Sequence, residues 1–282
     1  EKNIPVIPVL NKIDIRENSD HLATYIEEQC KISPLLISAK EKIGIELIRQ
    51  AILEKLPSDF GQQNITGKLV AENDLVLLVM PQDIQAPKGR LILPQVQTIR
   101  ELLDKKCLVM TCTTDKFSAT LQALARPPKL IITDSQVFKA IYEQKPKESE
   151  LTSFSVLFAG YKGDIHYYVE SAAVIERLTE SSRVLIAEAC THAPLSEDIG
   201  RVKLPRLLRK RIGENLQIDM VTGTDFPQDL TPYSLVIHCG ACMFNRKYVL
   251  SRIERAREQH IPMTNYGVAI AFLNGILDQI KY

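Results

Sequence analysis

Tryptophan is absent from this chain, aromatic residues make up only 6% of it, and no apolar run approaches the ~18 to 20 residues that a membrane span needs. Neither membrane insertion nor an aromatic-rich nucleic-acid surface is expected. Charge of one sign is lacking too: 35 Lys and Arg against 34 Asp and Glu leave +1, so no global field gathers nucleic acid or anionic lipid. Cysteine is sparse, with six in 282 residues. That excludes a disulfide-stapled secreted scaffold and leaves thiol chemistry in a reducing compartment, the cytoplasm. The chain opens Glu1-Lys2-Asn3-Ile4, without a charged-then-apolar leader, and no export signal is expected. No repeat of fixed period and no low-complexity tract is present.

What is there is an alternation of short apolar runs with amphipathic stretches, the pattern of strands and crossover helices in a mostly parallel sheet. The fold class is α/β, and 282 residues predict two or three cores. Two polar stretches, 57–64 and 143–150, read as linkers. They divide the chain into pieces spanning 1–57, 58–148 and 149–282. The first reads strand (6–10), helix, strand (35–38) and helix (44–56), half a sheet without its other half. In the second, strands over 75–80, 107–112 and 130–133 alternate with helices over 93–104, 118–125 and 135–143. A three-stranded parallel sheet keeps an open edge, and covering it with a second subunit predicts a homodimer. The third places strands at 184–189, 217–221 and 235–238 and helices at 165–178, 201–212, 247–260 and 266–280.

Asn11-Lys12-Ile13-Asp14 follows the first strand directly. Ligands of nucleotide-binding sheets sit at the carboxyl ends of strands, and a carboxylate there can accept from two ring donors of a base. Asp14 matches the donor pair of guanine. Twenty-seven residues beyond Asn11, a second strand ends in Ser38-Ala39-Lys40, where a backbone N–H can meet the base carbonyl. Together these resemble the fourth and fifth motifs of the translation-factor-like GTPases and the C-terminal part of a P-loop-type GTPase sheet. The resemblance implies that Asn11 and Asp14 bind guanine, that Lys12 stacks along the base, and that Ser38 and Ala39 close the pocket. A phosphate-binding loop needs Gly-x4-Gly-Lys-Ser/Thr, whose amides and lysine surround the phosphates while the hydroxyl holds Mg2+. Nothing here matches: from Gly61 to Gly67-Lys68-Leu69 there are five residues between glycines and no hydroxyl after the lysine. The P-loop is expected upstream, and these residues alone are not expected to hydrolyse GTP.

Cys190 and Cys239 each follow a strand, so in a parallel sheet both thiols emerge at the edge where sites form. Cys242 lies three residues after Cys239, a spacing that lets two thiolates reach one metal centre. Two imidazoles accompany them, in Cys190-Thr191-His192 and His238-Cys239-Gly240-Ala241-Cys242. Three readings stay open: thiols packed as small hydrophobes, a structural zinc held by three cysteines and one histidine, or an iron-sulfur cluster whose missing fourth cysteine leaves one iron for another ligand. For that fourth position the candidates are His192, His238 and Glu197. Cys107 and Cys112, on opposite faces of their strand, read as packing thiols, and Cys30 suggests nothing. A run of Arg201, Lys203, Arg206, Arg209, Lys210 and Arg211 reads as a solvated face or a dock for an acidic partner.

The guanine motif, a short β-α piece, and Cys-x-His followed at long spacing by His-Cys-x-x-Cys together resemble the HydF family of FeFe-hydrogenase maturation GTPases over the whole chain. The segment Pro81-Gln82-Asp83-Ile84-Gln85-Ala86-Pro87-Lys88-Gly89-Arg90-Leu91 is also similar to that family's sequence after its GTPase domain. The resemblance implies a GTPase remnant (1–57), a dimerisation domain (58–148) and a cluster-binding domain (149–282). It implies a 4Fe-4S cluster on Cys190, Cys239 and Cys242 with an exchangeable fourth site, and GTP with Mg2+ in the complete protein. The implied role is scaffold and carrier: the cluster holds a di-iron precursor and delivers it to the apo-FeFe-hydrogenase, with the radical maturation enzymes as further partners. The rival readings are an assembly GTPase acting on RNA or a ribosomal particle, with a zinc-stabilised tail, and an electron-transfer module.

Overall fold

The computed structural model describes residues 5–56, 64–81, 91–189, 199–242 and 244–282. They fall into two compact units, Glu1–Gln63 and Asn64–Tyr282.

In the first unit, β1 (Val9–Leu10) pairs in parallel with β2 (Leu35–Leu36), and α1 (Ser19–Cys30) and α2 (Ile45–Lys55) follow them. The strand expected over 6–10 is shortened because Pro5 and Pro8 carry no N–H to donate, although the Pro8 carbonyl still accepts from Leu35, at 2.9 Å. Ser38 and Ile43 form an antiparallel bridge that closes a tight loop around Ala39. Gly44 starts α2 with φ +73°, and a Cβ there would lie 2.6 Å from the Leu36 oxygen, so only glycine fits this turn.

The second unit holds two four-stranded parallel sheets. The first contains β3 (Leu75–Val79), β4 (Leu108–Cys112), β5 (Leu130–Thr133) and β6 (Glu150–Ser153), in the order β4-β3-β5-β6. Its helices are α3 (Leu93–Asp104), α4 (Phe117–Ala123) and α5 (Phe138–Gln144). β3 and β5 are nearly continuous apolar runs because both their faces are covered. Leu77, Val79 and Ile131 enter one core while Val76, Leu78, Leu130 and Ile132 enter the other. Cys107 packs with the second of these cores and Cys112 against the first, on opposite faces. β4 is an edge strand, with Leu108 51% exposed.

After β6 come α6 (Phe154–Lys162) and α7 (Ile165–Ala172). The second sheet then follows: β7 (Arg183–Glu188), α8 (Leu204–Ile212), β8 (Gln217–Thr222), β9 (Leu235–His238), α9 (Arg246–Glu258), β10 (Met263–Asn265) and α10 (Tyr266–Leu273), with strand order β10-β9-β7-β8. One hydrophobic cluster joins the sheets, running from Leu77 and Ile131 through Val156, Ala159 and Tyr168 to Leu185, Val236 and Met263. The chain end returns to the first sheet, where Ile280 bridges Leu151 and the Lys281 amide donates to the Leu151 carbonyl.

Each sheet has one strand more than the three that its sequence pattern suggests. The additions, β6 and β10, are short and partly polar, and each runs into a helix without a loop. Its last residue caps that helix: Ser153 Oγ accepts from the Val156 amide at 3.2 Å, and Asn265 Oδ1 from the Gly267 amide at 2.9 Å. β6 therefore belongs with the strands that precede it, although the stretch before it reads as a linker.

Candidate functional site

In the first unit the residues of the guanine motif share one loop pair. Asn11 Oδ1 accepts from the Lys12 amide at 2.8 Å and from the Ala39 amide at 3.1 Å, tying the loop after β1 to the loop after β2. Lys12 sits in the left-handed region at φ +69°. Ser38 is buried, and its hydroxyl accepts from the Glu41 amide at 3.1 Å. The Ser38 side chain hydrogen-bonds Asp14 and holds that exposed carboxyl below the usual carboxylate range, with the charges of Lys40 and Lys12 adding to the effect. Asn11, Lys12, Asp14, Ser38 and Ala39 are thus brought together.

In the second unit the strand order supplies a fact that the sequence hides. From β7 the chain goes to β8 on one side and then crosses to β9 on the other, so the carboxyl ends of β7 and β9 flank a topological switch point. Cys239 stands at that edge. Its amide extends the ladder to the Ala187 carbonyl at 2.9 Å, and its Sγ accepts from the amides of Ala189 at 3.0 Å and Ala241 at 3.4 Å. Ala241 adopts φ +47°, a left-handed conformation that costs a residue with a Cβ roughly 1–2 kcal/mol. Such backbone persists where its surroundings impose it.

His238 is fully buried beneath this loop. Its Nε2 lies 2.9 Å from an Arg252 guanidinium nitrogen, and its Nδ1 lies 2.6 Å from the Cys239 carbonyl. Because arginine only donates, Nε2 is the acceptor and Nδ1–H donates to the carbonyl, which fixes the neutral tautomer. Burial, followed by the Arg252 charge, drives its pKa down to about 4. Both ring nitrogens are engaged, so His238 as placed buttresses the Cys239 backbone and offers no lone pair to a metal. Arg252 is itself buried, between the rings of Phe226 and Tyr248, with centroids 4.7 and 4.6 Å from its guanidinium carbon.

Cys190, His192 and Glu197 lie outside the described residues, as does the segment 82–90. Among the described residues no group of three or more His, Cys, Asp or Glu converges as a metal-binding set. The basic run is divided by its contacts. Arg201 pairs with the buried Glu188 at 3.1 Å, and Lys203 donates to the Gln136 carbonyl, while Arg206, Lys210 and Arg211 are exposed.

Sequence reasoning missed two residues at this site, Arg252 and Lys162. Arg252 lies on α9, where its only sign was a cation on a helix that also carries Val249 and Ile253 inward. Lys162, the last residue of α6, donates to three carbonyls of the cysteine loop. Nothing in its local pattern distinguishes it from a solvated helix end.

Comparison with known proteins accounts for the second unit. Residues 65–163 match the hydrogen maturase F dimerization domain, and residues 166–281 match the hydrogen maturase F tetramerization domain. Fold and matches first define a class, a multidomain α/β protein with two self-association domains in series. The chain belongs to the hydrogen maturase F family of hydrogenase-maturation GTPases. Over shorter stretches it is 40% identical across 68 residues to elongation factor 4 of Hydrogenobaculum sp. (strain Y04AAS1), covering 23% of this chain and 11% of that protein. It is also 42% identical across 65 residues to elongation factor 4 of Aquifex aeolicus (strain VF5), covering 22% and 11%. The chain spans about a tenth of the length of these curated relatives. Among the described residues no helix is long and apolar enough to cross a membrane.

Proposed function

We propose that this chain carries a 4Fe-4S cluster on Cys190, Cys239 and Cys242 and acts as a scaffold and carrier in FeFe-hydrogenase maturation, passing a di-iron precursor from the radical maturation enzymes to the apo-hydrogenase. One observation carries the reading. The sulfur of Cys239 accepts N–H bonds from Ala189, the residue before Cys190, and from Ala241, the residue before Cys242. Such donors favour a thiolate over a thiol and tune thiolate-bound clusters, so the donor set fits a soft metal centre. When bound, the cluster supplies an iron with one position for an exchangeable ligand.

The chain's own residues orient and support. The amides of Ala189 and Ala241 aim at the Cys239 sulfur, His238 and Arg252 fix its carbonyl from below, and the pairing of β7 with β9 keeps Ala189 beside Cys239. With both His238 nitrogens engaged, His192 and Glu197 are the remaining side-chain candidates for the fourth position. The same point weakens the zinc alternative, which is left with one imidazole.

For the first unit we read a guanine site. Asn11 fastens the two loops, Asp14 is held ionised to accept from the base, and the Ala39 loop closes over it. Phosphate binding and hydrolysis need the loop motif that these 282 residues do not contain. The exposed edge of β4 supports pairing with a second copy through the matched dimerisation domain.

Anaerobic purification and reconstitution, followed by iron, sulfide and zinc analysis, tests the metal site. About four irons and four sulfides per chain are expected, with loss of most of them in Cys190→Ala, Cys239→Ala and Cys242→Ala. A chain that takes up only zinc, or keeps its iron without these cysteines, refutes the assignment.

A further inference from the structure

We propose that Lys162 is the positioning residue of the cysteine loop: its ammonium, delivered from the end of α6, holds the carbonyls of Ala241, Cys242 and Phe244 and sets how tightly Cys239 and Cys242 retain a thiolate-bound metal. The metal half of the statement rests on the cysteine site proposed above. The holding half rests on geometry alone.

Lys162 is 7% exposed although lysine is among the residues least often buried. Its Nζ lies 2.9 Å from the Ala241 carbonyl, 2.8 Å from that of Cys242 and 2.9 Å from that of Phe244, and 5.7 Å from the Phe158 ring centroid. Three donors thus meet three carbonyls of a single turn. The same turn holds Ala241 in the left-handed region, closed by the Phe244 amide donating to the Ala241 carbonyl at 3.0 Å. A clasp runs the other way as well. Arg246, the first residue of α9, donates to the carbonyls of Tyr161 at 3.1 Å and Gly163 at 3.0 Å, on either side of Lys162. Gly163 lets the backbone pack against Tyr168 at this point, since a Cβ there would lie 2.6 Å from the Tyr168 ring.

Two consequences follow from the chemistry. Charge-assisted bonds to the carbonyls of Ala241, Cys242 and Phe244 stabilise a turn that its own backbone disfavours. A positive charge 2.8 Å from the Cys242 carbonyl also favours negative charge on the adjacent sulfurs, in an interior where charges are weakly screened. Lys162 is the last residue but one of the segment matched by the dimerisation model, and the carbonyls it holds lie in the segment matched by the tetramerisation model. It is therefore the point at which one domain supports the other's cysteines.

The test uses the full chain, first metal-free and then with cobalt(II) as probe. In the metal-free wild type, amide hydrogen exchange over 239–246 should be protected to the level of the α9 interior. Exchange at the rate of an exposed loop overturns the clasp without any variant. Lys162→Met should speed exchange in this segment about tenfold and weaken cobalt(II) binding about tenfold, within the usual range for residues that support metal ligands. The thiolate-to-cobalt charge-transfer band reports cysteine ligation. Lys162→Arg, which keeps the charge, should recover most of the affinity, a rescue that shape alone does not give. Unchanged exchange and affinity in Lys162→Met overturn the proposal. A wild type without the charge-transfer band removes the cysteine site and the metal half with it, and the exchange result still decides the clasp.

Discussion

The two units differ most in what they do with their apolar residues. In the second, β3, β5, β7 and β9 are almost wholly inaccessible, and three hydrophobic clusters absorb their side chains. In the first, neither helix buries a single residue, and Ile52 and Leu53 of α2 are 46% and 68% exposed. The sequence pattern of both is the same, short apolar runs alternating with amphipathic helices. Amphipathicity states which face a helix would bury, and only neighbouring elements decide whether it does so. A two-stranded sheet covers too little of a helix to do this, since two strands alone are at best marginally stable.

The widest separation between the units should appear on truncating a leucine in each. Leu185→Ala, in the centre of β7, removes a fully buried side chain and is expected to cost about 2–5 kcal/mol. Leu53→Ala should change stability by no more than about 0.5 kcal/mol. Urea denaturation of the two variants gives both numbers. A large loss for Leu53→Ala would mean that α2 is covered in solution, and the contrast between the units would break.

A smaller effect distinguishes how the second unit secures its first residues. Burial alone would raise the Glu101 carboxyl, but the Thr66 amide at 2.8 Å, the Thr66 hydroxyl at 2.7 Å, the Ile65 amide and the Lys105 ammonium at 3.3 Å together hold it below its ordinary value of 4.5. A depressed carboxylate contributes stability above its unfolded pKa and loses it as pH falls through the lower folded value. The urea midpoint of the wild type should therefore decline below about pH 4.5. Glu101→Gln should cost about 1 kcal/mol near neutral pH, the difference between charged and neutral acceptors, and should flatten that decline. An equally steep acid limb in the variant would assign the dependence to other carboxylates.

Much of this was legible in the sequence, and the omissions have physical causes. Apolar runs such as Leu75–Val79 and Leu130–Thr133 announce strands because both faces are buried and no alternation dilutes them. β6 and β10 escape notice because their last residues already serve the next helix as caps. The cysteine and asparagine motifs are visible as spacings, and the resemblance they carry leads to the right family. Lys162 and Arg252 are not visible in this way. Each acts across a long sequence separation, Lys162 on carbonyls about 80 residues away, and a carbonyl has no sequence identity to read. The strand order that brings the β7 and β9 ends together is likewise a property of the crossover and not of any local segment.

The smallest global effect is expected where the first unit is best organised. Asn11→Ala removes the acceptor that joins the Lys12 and Ala39 amides. Both bonds are exposed, and water can replace them, so the loss of stability should stay within about 0.5 kcal/mol. Locally the change should be large, because among the described residues no other hydrogen bond ties the Ala39 amide to the loop after β1. Amide exchange at Ala39 should rise to the rate of an open loop while β7 and β9 keep their protection. If β7 also loses protection, the units unfold together and exposure is a poor guide to cooperativity here. If Ala39 stays protected, the Ser38–Ile43 bridge suffices to close the loop, and the contribution of Asn11 to the guanine site lies in contacts with the base.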